Sequence, residues 1–242
     1  LLGQLFLNEG DVVLVESPTY MGATTAFAVN FPQFVEVETD DKGMVPEALE
    51  KAIEKYGDRV RLMYVIPEFQ NPTGITWPVE RRKAFMDIIN RYDFPVLEDD
   101  PYGELRYDGD KVPSLKSMDT KGNIIFLGSF SKILMPGLRI AWMVADPVII
   151  DKVVKLKQAV DLQSSSFGQR QTSYYIDMFD LDEHVAVRDL ARLLHRGRDP
   201  AGGHDVVLLD QDPVVETDPV IDASADADRV LLGEAQAGQR LA

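Results

Sequence analysis

The sequence predicts an α/β fold with a mostly parallel sheet. Three observations lead there. Short apolar, β-branched runs recur along the chain, and helical patterns with one apolar face lie between them. Alternation of this kind covers both faces of a parallel sheet with helices. Polar residues also gather where the runs end, the edge at which open α/β sheets bind ligands.

In chain order, residues 1–7 (LLGQLFL) form an apolar helical stretch that stops at Asn8-Glu9-Gly10-Asp11. Strands are expected at 12–15, 34–37, 62–66, 95–97, 124–127 and 140–144. A helix over 46–56 places Leu49, Ala52, Ile53 and Tyr56 on one face, and one over 78–92 does the same with Phe85, Ile88, Ile89 and Tyr92. Two further helices are expected at 147–162 and 169–181. Domains rarely start inside a helix, so further sequence is expected upstream of Leu1.

Composition excludes several classes. With no cysteine, a disulfide scaffold, a thiolate metal site and a cysteine nucleophile are out. A formal charge of −15 opposes a general nucleic-acid surface or an anionic membrane as partner. No apolar run approaches the roughly 20 residues that span a bilayer, and no signal peptide opens the chain. The expectation is a soluble cytoplasmic protein. His184, His195 and His204 form no metal or triad pattern, and Trp77 and Trp142 read as core or wall residues.

The far end differs in kind. All 21 aromatic residues lie at or before Phe179, and residues 199–242 carry ten acids and two arginines. The expected organisation is therefore a domain over 1–184 followed by an atypical acidic segment over 185–242. That segment is either a disordered tail or a stretch translated out of frame.

Three strand ends run into unusual polar loops. After 62–66 comes Pro67-Glu68-Phe69-Gln70-Asn71-Pro72-Thr73-Gly74; after 95–97, Glu98-Asp99-Asp100-Pro101-Tyr102; after 124–127, Gly128-Ser129-Phe130-Ser131-Lys132. Arg139 follows seven residues after Lys132, beyond a Pro136-Gly137 break that lets it fold back. If these strands are parallel neighbours, one site receives an amide, carboxylates, a phenol, hydroxyls, an amine and a guanidinium. Hydroxyls and arginine suit a phosphate, a carboxylate suits a protonated pyridine nitrogen, Tyr and Asn donors suit a phenolate oxygen, and a lysine amine suits an aldehyde.

These features resemble the fold-type I pyridoxal-phosphate aminotransferases, in the branch with 2-aminoadipate, kynurenine and aromatic aminotransferases. The likeness rests on Ser17-Pro18-Thr19-Tyr20, Asn71-Pro72-Thr73-Gly74, Asp99-Asp100-Pro101-Tyr102, Ser129-Phe130-Ser131-Lys132 and Arg139, and it covers about residues 1–184. It implies the large domain of that fold, three-layered with a mixed, mostly parallel sheet, truncated and with little or no small domain. It implies pyridoxal 5'-phosphate as cofactor and a ping-pong Schiff-base transfer of an amino group from an amino acid to a 2-oxo acid.

The resemblance also implies roles. Lys132 would join the cofactor aldehyde and move the substrate's α-proton. Asp99 would face the ring nitrogen, preferred over Asp100 by its three-residue spacing to Tyr102. Tyr102 and Asn71 would bind the phenolate oxygen, with a cis Asn71–Pro72 bond. Ser129, Ser131 and Arg139 would bind phosphate, and Tyr20 would stack on the ring. Singly, each has an ordinary alternative: a solvated lysine, a turn aspartate, a core tyrosine, a serine cap, a surface ion pair. The resemblance further implies a homodimer at full length. An upstream phosphate-binding loop and a late substrate-binding arginine have no counterpart here, and Arg188, Arg192, Arg196 and Arg198 cannot be equated with that arginine. This chain alone is therefore expected to be a fragment of doubtful activity. Rival readings are a transcriptional regulator with an aminotransferase-like effector domain, and a lyase or decarboxylase on the same fold.

Overall fold

The computed structural model of the chain describes residues 1–106 and 108–186. The acidic segment expected over 185–242, with His195, His204 and the arginines from Arg188 onward, lies almost wholly outside the described residues.

A seven-stranded sheet organises these residues. Its strands are β1 (Val12–Ser17), β2 (Gln33–Asp40), β3 (Gly43–Met44), β4 (Val60–Val65), β5 (Val96–Asp100), β6 (Ile124–Ser129) and β7 (Ala141–Val144). The spatial order is β3-β2-β1-β4-β5-β6-β7, with β2, β1, β4, β5 and β6 parallel and the two edge strands antiparallel. Direction of growth reverses at β1, which lies between β2 and β4, so the sheet has a topological switch point there.

Helices cover both faces. One core joins β-strand residues Leu14, Met63, Val65 and Val96 to α3 (Pro46–Tyr56) and α4 (Val79–Ile89). The other joins Val13, Val15, Leu62, Tyr64 and Leu97 to α1 (Leu2–Phe6), α2 (Met21–Ala28) and Ile149 of α6 (Pro147–Val160). Alternate residues of the same strands thus feed opposite cores, which is why the central strands read as continuous apolar runs. The expected α/β class, mostly parallel sheet and three layers are all present.

The differences from expectation are local. β5 starts at Val96 instead of Pro95 and continues through Glu98, Asp99 and Asp100, which sequence reading had placed in the following loop. Those acids stay in the ladder because Asp99 pairs with Leu127 and Asp100 with Gly128. β3, two residues long, had no signal in the sequence. α4 ends at Ile89, three residues short of the expected end, capped at Asn90. α6 ends at Val160. α7 spans Ser166–Met178 and starts early because the Ser165 hydroxyl accepts the Gly168 N–H. Gly43 adopts φ +100° and lies so close to Trp77 that an added Cβ would stand 2.1 Å from the ring, so this turn requires glycine.

Candidate active site

Five segments meet at one edge of the sheet. β1, β4, β5 and β6 are parallel and end there. β7 is antiparallel to β6 and therefore begins there, with Ala141 opposite Ser129 and the Phe130 N–H donating to the Ile140 carbonyl (3.1 Å). Tyr20, Asn71, Asp99, Tyr102, Ser129, Ser131, Lys132 and Arg139 all lie in or beside these segments.

On β5, strand alternation separates the acids. Leu97 and Asp99 share the face of α1 and α2, whereas Glu98 turns to the opposite core. Glu98 is consumed by structure: its two oxygens accept the Leu115 N–H (2.7 Å) and the Lys116 N–H (2.8 Å). Asp100 closes a turn by accepting the Gly103 N–H at 2.7 Å, and a Cβ at Gly103 would fall 2.4 Å from its carboxylate. Asp99 accepts only the Tyr64 hydroxyl among the described residues, at 2.5 Å on Oδ2. Burial raises the Asp99 pKa above the ordinary aspartate value, and the Tyr64 hydrogen bond pulls it back. Asp99 thus keeps Oδ1 without a hydrogen bond among the described residues, while Asp100 is drawn to the backbone of the turn that follows the strand.

The loops after β1 and β4 are tied together by Gln70, which is buried. Its Nε2 donates to the Pro18 carbonyl (2.8 Å), and its Oε1 accepts from the Thr73 N–H (2.8 Å) and hydroxyl (2.7 Å). Asn71 is half-buried in this loop, and the Asn71–Pro72 bond is cis, as the resemblance implied; Ser17–Pro18 is cis as well. Beneath, the buried Glu16 accepts the Ile66 N–H (2.8 Å) and the Trp77 indole N–H (3.2 Å), and burial pushes its pKa up to about 8. Glu68 is held by Arg82 at 2.5 Å and by Arg106, whose guanidinium lies over the Phe69 ring (4.9 Å). The Asn71 loop is thereby built on a rigid base.

At the β6–β7 corner, Ser129 ends β6 and caps α5 (Phe130–Ile133), its hydroxyl accepting the Ser131 N–H at 3.1 Å. The capping alternative for this serine is therefore realised, and its hydroxyl proton is still free to be donated. Lys132 lies on α5 and is exposed. The 3₁₀ turn Pro136–Leu138 folds the chain back, so that exposed Arg139, in the left-handed conformation (φ 55°), precedes β7 beside this corner. Gly128 makes room for Trp142, since an added Cβ would stand 2.2 Å from the indole. Tyr102 is half-buried in the turn after β5, and its backbone N–H supports Asp100. Tyr20 is 42% exposed, precedes α2 and lays its ring against Gly22.

Sequence reading had assigned no role to Tyr64 or Gln70. Gln70 lies within the polar loop that follows β4. Tyr64 was hidden in an aliphatic run, although a buried phenol needs a partner, and that need was the available signal.

Neighbouring segments thus carry a guanidinium, two hydroxyls, a half-buried carboxylate and an exposed lysine. Comparison with known proteins identifies the family. The family Aminotransferase class I and II matches residues 1–198. An aromatic-amino-acid aminotransferase of Thermococcus litoralis is 45% identical over 188 residues, covering 76% of this chain and 45% of that protein. The crystal structure of Pyrococcus horikoshii kynurenine aminotransferase, in complex with PMP, is 44% identical with a TM-score of 0.76, covering 81% of this chain and 49% of that one. An uncharacterised HTH-type regulator of Bacillus subtilis, YisV, is 32% identical, covering 81% of this chain and 40% of that protein. The chain spans about half the length of the relatives it matches. With a family match over most of its length, this chain belongs to the class I and II aminotransferases.

Proposed function

We propose that the chain is the cofactor-binding part of a pyridoxal 5'-phosphate-dependent aminotransferase, which moves an amino group from an amino acid to a 2-oxo acid. One observation carries this reading: the sheet brings Asp99, Lys132 and Arg139, from three different segments, to the same edge. The donor set fits the cofactor, because it holds at least one partner for each of its functional groups: Arg139 with Ser129 and Ser131 for the phosphate, Asp99 for the ring nitrogen, Asn71 and Tyr102 for the ring oxygen, and Lys132 for the aldehyde.

When bound, pyridoxal phosphate supplies a carbonyl that takes up the amino group and a ring that delocalises the electrons left at the substrate α-carbon. The side chains prepare the rest. Arg139 presents a bidentate fork to the phosphate, with the serine hydroxyls as further donors. Asp99 keeps a negative charge against the ring nitrogen, and the resulting pair holds that nitrogen protonated. Asn71 and Tyr102 donate to the ring oxygen, and Tyr20 flanks the ring. The Lys132 amine would take the proton from the substrate α-carbon and return it. The partner substrates are an amino acid and a 2-oxo acid, used in turn, and the full-length protein is read as a cytoplasmic homodimer.

Higher identity to the Thermococcus litoralis enzyme (45%) than to the regulator (32%) favours the enzyme, and transfer of an amino group to 2-oxoglutarate by the full-length protein tests it. The site itself is tested by adding pyridoxal phosphate to the chain. Lys132→Ala is expected to abolish the visible absorption band that covalent capture produces. An undiminished band in that variant would sink the assignment.

A further inference from the structure

We propose that Tyr64 is a positioning residue that acts through Asp99, fixing one carboxylate oxygen so that the other faces the cofactor's ring nitrogen. This rests on the reading above and extends it to a residue that does not belong to any of the motifs.

The argument begins with the ladder. Tyr64 on β4 pairs with Leu97 on β5, and strand alternation puts Asp99 one step further along the same face. Diagonal neighbours of this kind are within reach of a tyrosine hydroxyl. The hydroxyl meets Asp99 Oδ2 at 2.5 Å, at the short end for a charge-assisted O–H···O⁻ bond. Oδ1 accepts no hydrogen bond among the described residues. One oxygen is therefore spoken for by the protein and one is left for a ligand.

The phenol is held in turn. Tyr64 is 2% exposed, and its ring meets Phe27 of α2 edge-on at 6.0 Å between centroids. Burial, and next the charge of Asp99, push the Tyr64 pKa above the ordinary tyrosine value. The hydroxyl consequently remains a proton donor wherever Asp99 is ionised. Donation favours the carboxylate form of an acid that burial would otherwise neutralise. Phe27, Tyr64 and Asp99 form a chain from α2 to the site edge, so the carboxylate is aimed by packed groups and not by a mobile loop.

The test uses Tyr64→Phe, which keeps the ring and removes the hydroxyl. Pyridoxal phosphate affinity should fall about tenfold, the scale of one hydrogen bond to a charged group. In an Asp99→Asn background the same change should cost less than about twofold, because coupled residues do not add. Carboxyl-labelled NMR of the chain without cofactor should show the Asp99 midpoint rising by about one pH unit in Tyr64→Phe. Equal losses of affinity in both backgrounds would overturn the proposal, since Tyr64 would then be merely structural, and so would unchanged affinity. If the unsubstituted chain binds no pyridoxal phosphate, the proposed function fails. An Asp99 midpoint unmoved by Tyr64→Phe overturns the present inference whatever the cofactor result.

Discussion

Glu98 and Asp99 are consecutive acids on one strand, yet they belong to different parts of the molecule. Glu98 turns to the core under α3 and α4 and is 2% exposed, with both oxygens taken by backbone N–H groups of residues 115 and 116. Asp99 turns to the face of α1 and α2, where among the described residues it has one phenol for a partner and Oδ1 accepts no hydrogen bond. The difference teaches how to read a carboxylate on a central strand. Where every lone pair is answered from within the chain, the acid is part of the scaffold. Where one oxygen is left open at the carboxyl edge of a parallel sheet, as at Asp99, the acid can still answer a ligand, and that is the role proposed for it.

Removing each acid should sharpen that division, and the largest effect belongs to the scaffold. Glu98→Ala orphans two backbone donors near Leu115, costing roughly 1–3 kcal/mol each, and leaves a small void. It also frees the segment that Lys116 fastens to Asp119 (3.0 Å) and to the Ile124 carbonyl (2.9 Å) ahead of β6. A total of about 3–5 kcal/mol is expected in urea unfolding. A loss below about 1 kcal/mol would show that Glu98 is not the anchor this geometry makes it.

The second effect is a pH dependence. Burial pushes Glu98 up to about 7 and Glu16 up to about 8, from an ordinary 4.5. An acid whose folded pKa is raised binds its proton more tightly when folded. Its stabilising contribution is complete below pH 4.5 and is lost as pH rises through 7 and 8. Asp99 and Asp100 shift in the same direction. Stability should therefore decline between about pH 5 and 8, by an amount on the order of 3 kcal/mol for Glu98 alone. Glu98→Gln and Glu16→Gln should each flatten part of that decline. A curve that rises across this range would contradict the burial argument for both acids.

Much of this was legible in the sequence, and what escaped has a common cause. The central strands declared themselves through β-branched runs, and α3 was read to its ends because Pro46 and Gly57 punctuate it. The site loops were visible as polar residues where apolar runs stop. Not legible were contacts set by register: the Tyr64 hydroxyl reaches Asp99 across 35 positions, and Glu16 reaches Trp77 across 61. Hydrophobic periodicity says which face a residue occupies once its strand is known, but not which neighbour stands opposite. For the same reason the acids of β5 were taken for loop: polar side chains hide a ladder that only pairing with β6 reveals.

The third effect probes the corner where β6 meets β7. Gly128→Ala would drive a methyl group into the Trp142 indole, and overpacking of this kind costs about 1–3 kcal/mol. Because Ser129 and Lys132 follow directly, phosphate and aldehyde capture should suffer along with stability. Loss of stability alone, with cofactor capture intact, would separate the corner's packing from its chemistry.

The smallest effect on stability belongs to Asp99. Asparagine keeps an oxygen for the Tyr64 hydroxyl and removes a charge that burial disfavours, so Asp99→Asn should change unfolding free energy by less than about 1 kcal/mol in the absence of cofactor. Pyridoxal phosphate affinity should nevertheless fall by at least about tenfold, because a neutral amide cannot stabilise a protonated ring nitrogen. Glu98→Gln sets the contrast, with a change in pH-dependent stability and little change in affinity. Should the two variants exchange these signatures, the assignment of scaffold acid and ligand acid would be reversed, and strand alternation on β5 would have been read from the wrong face.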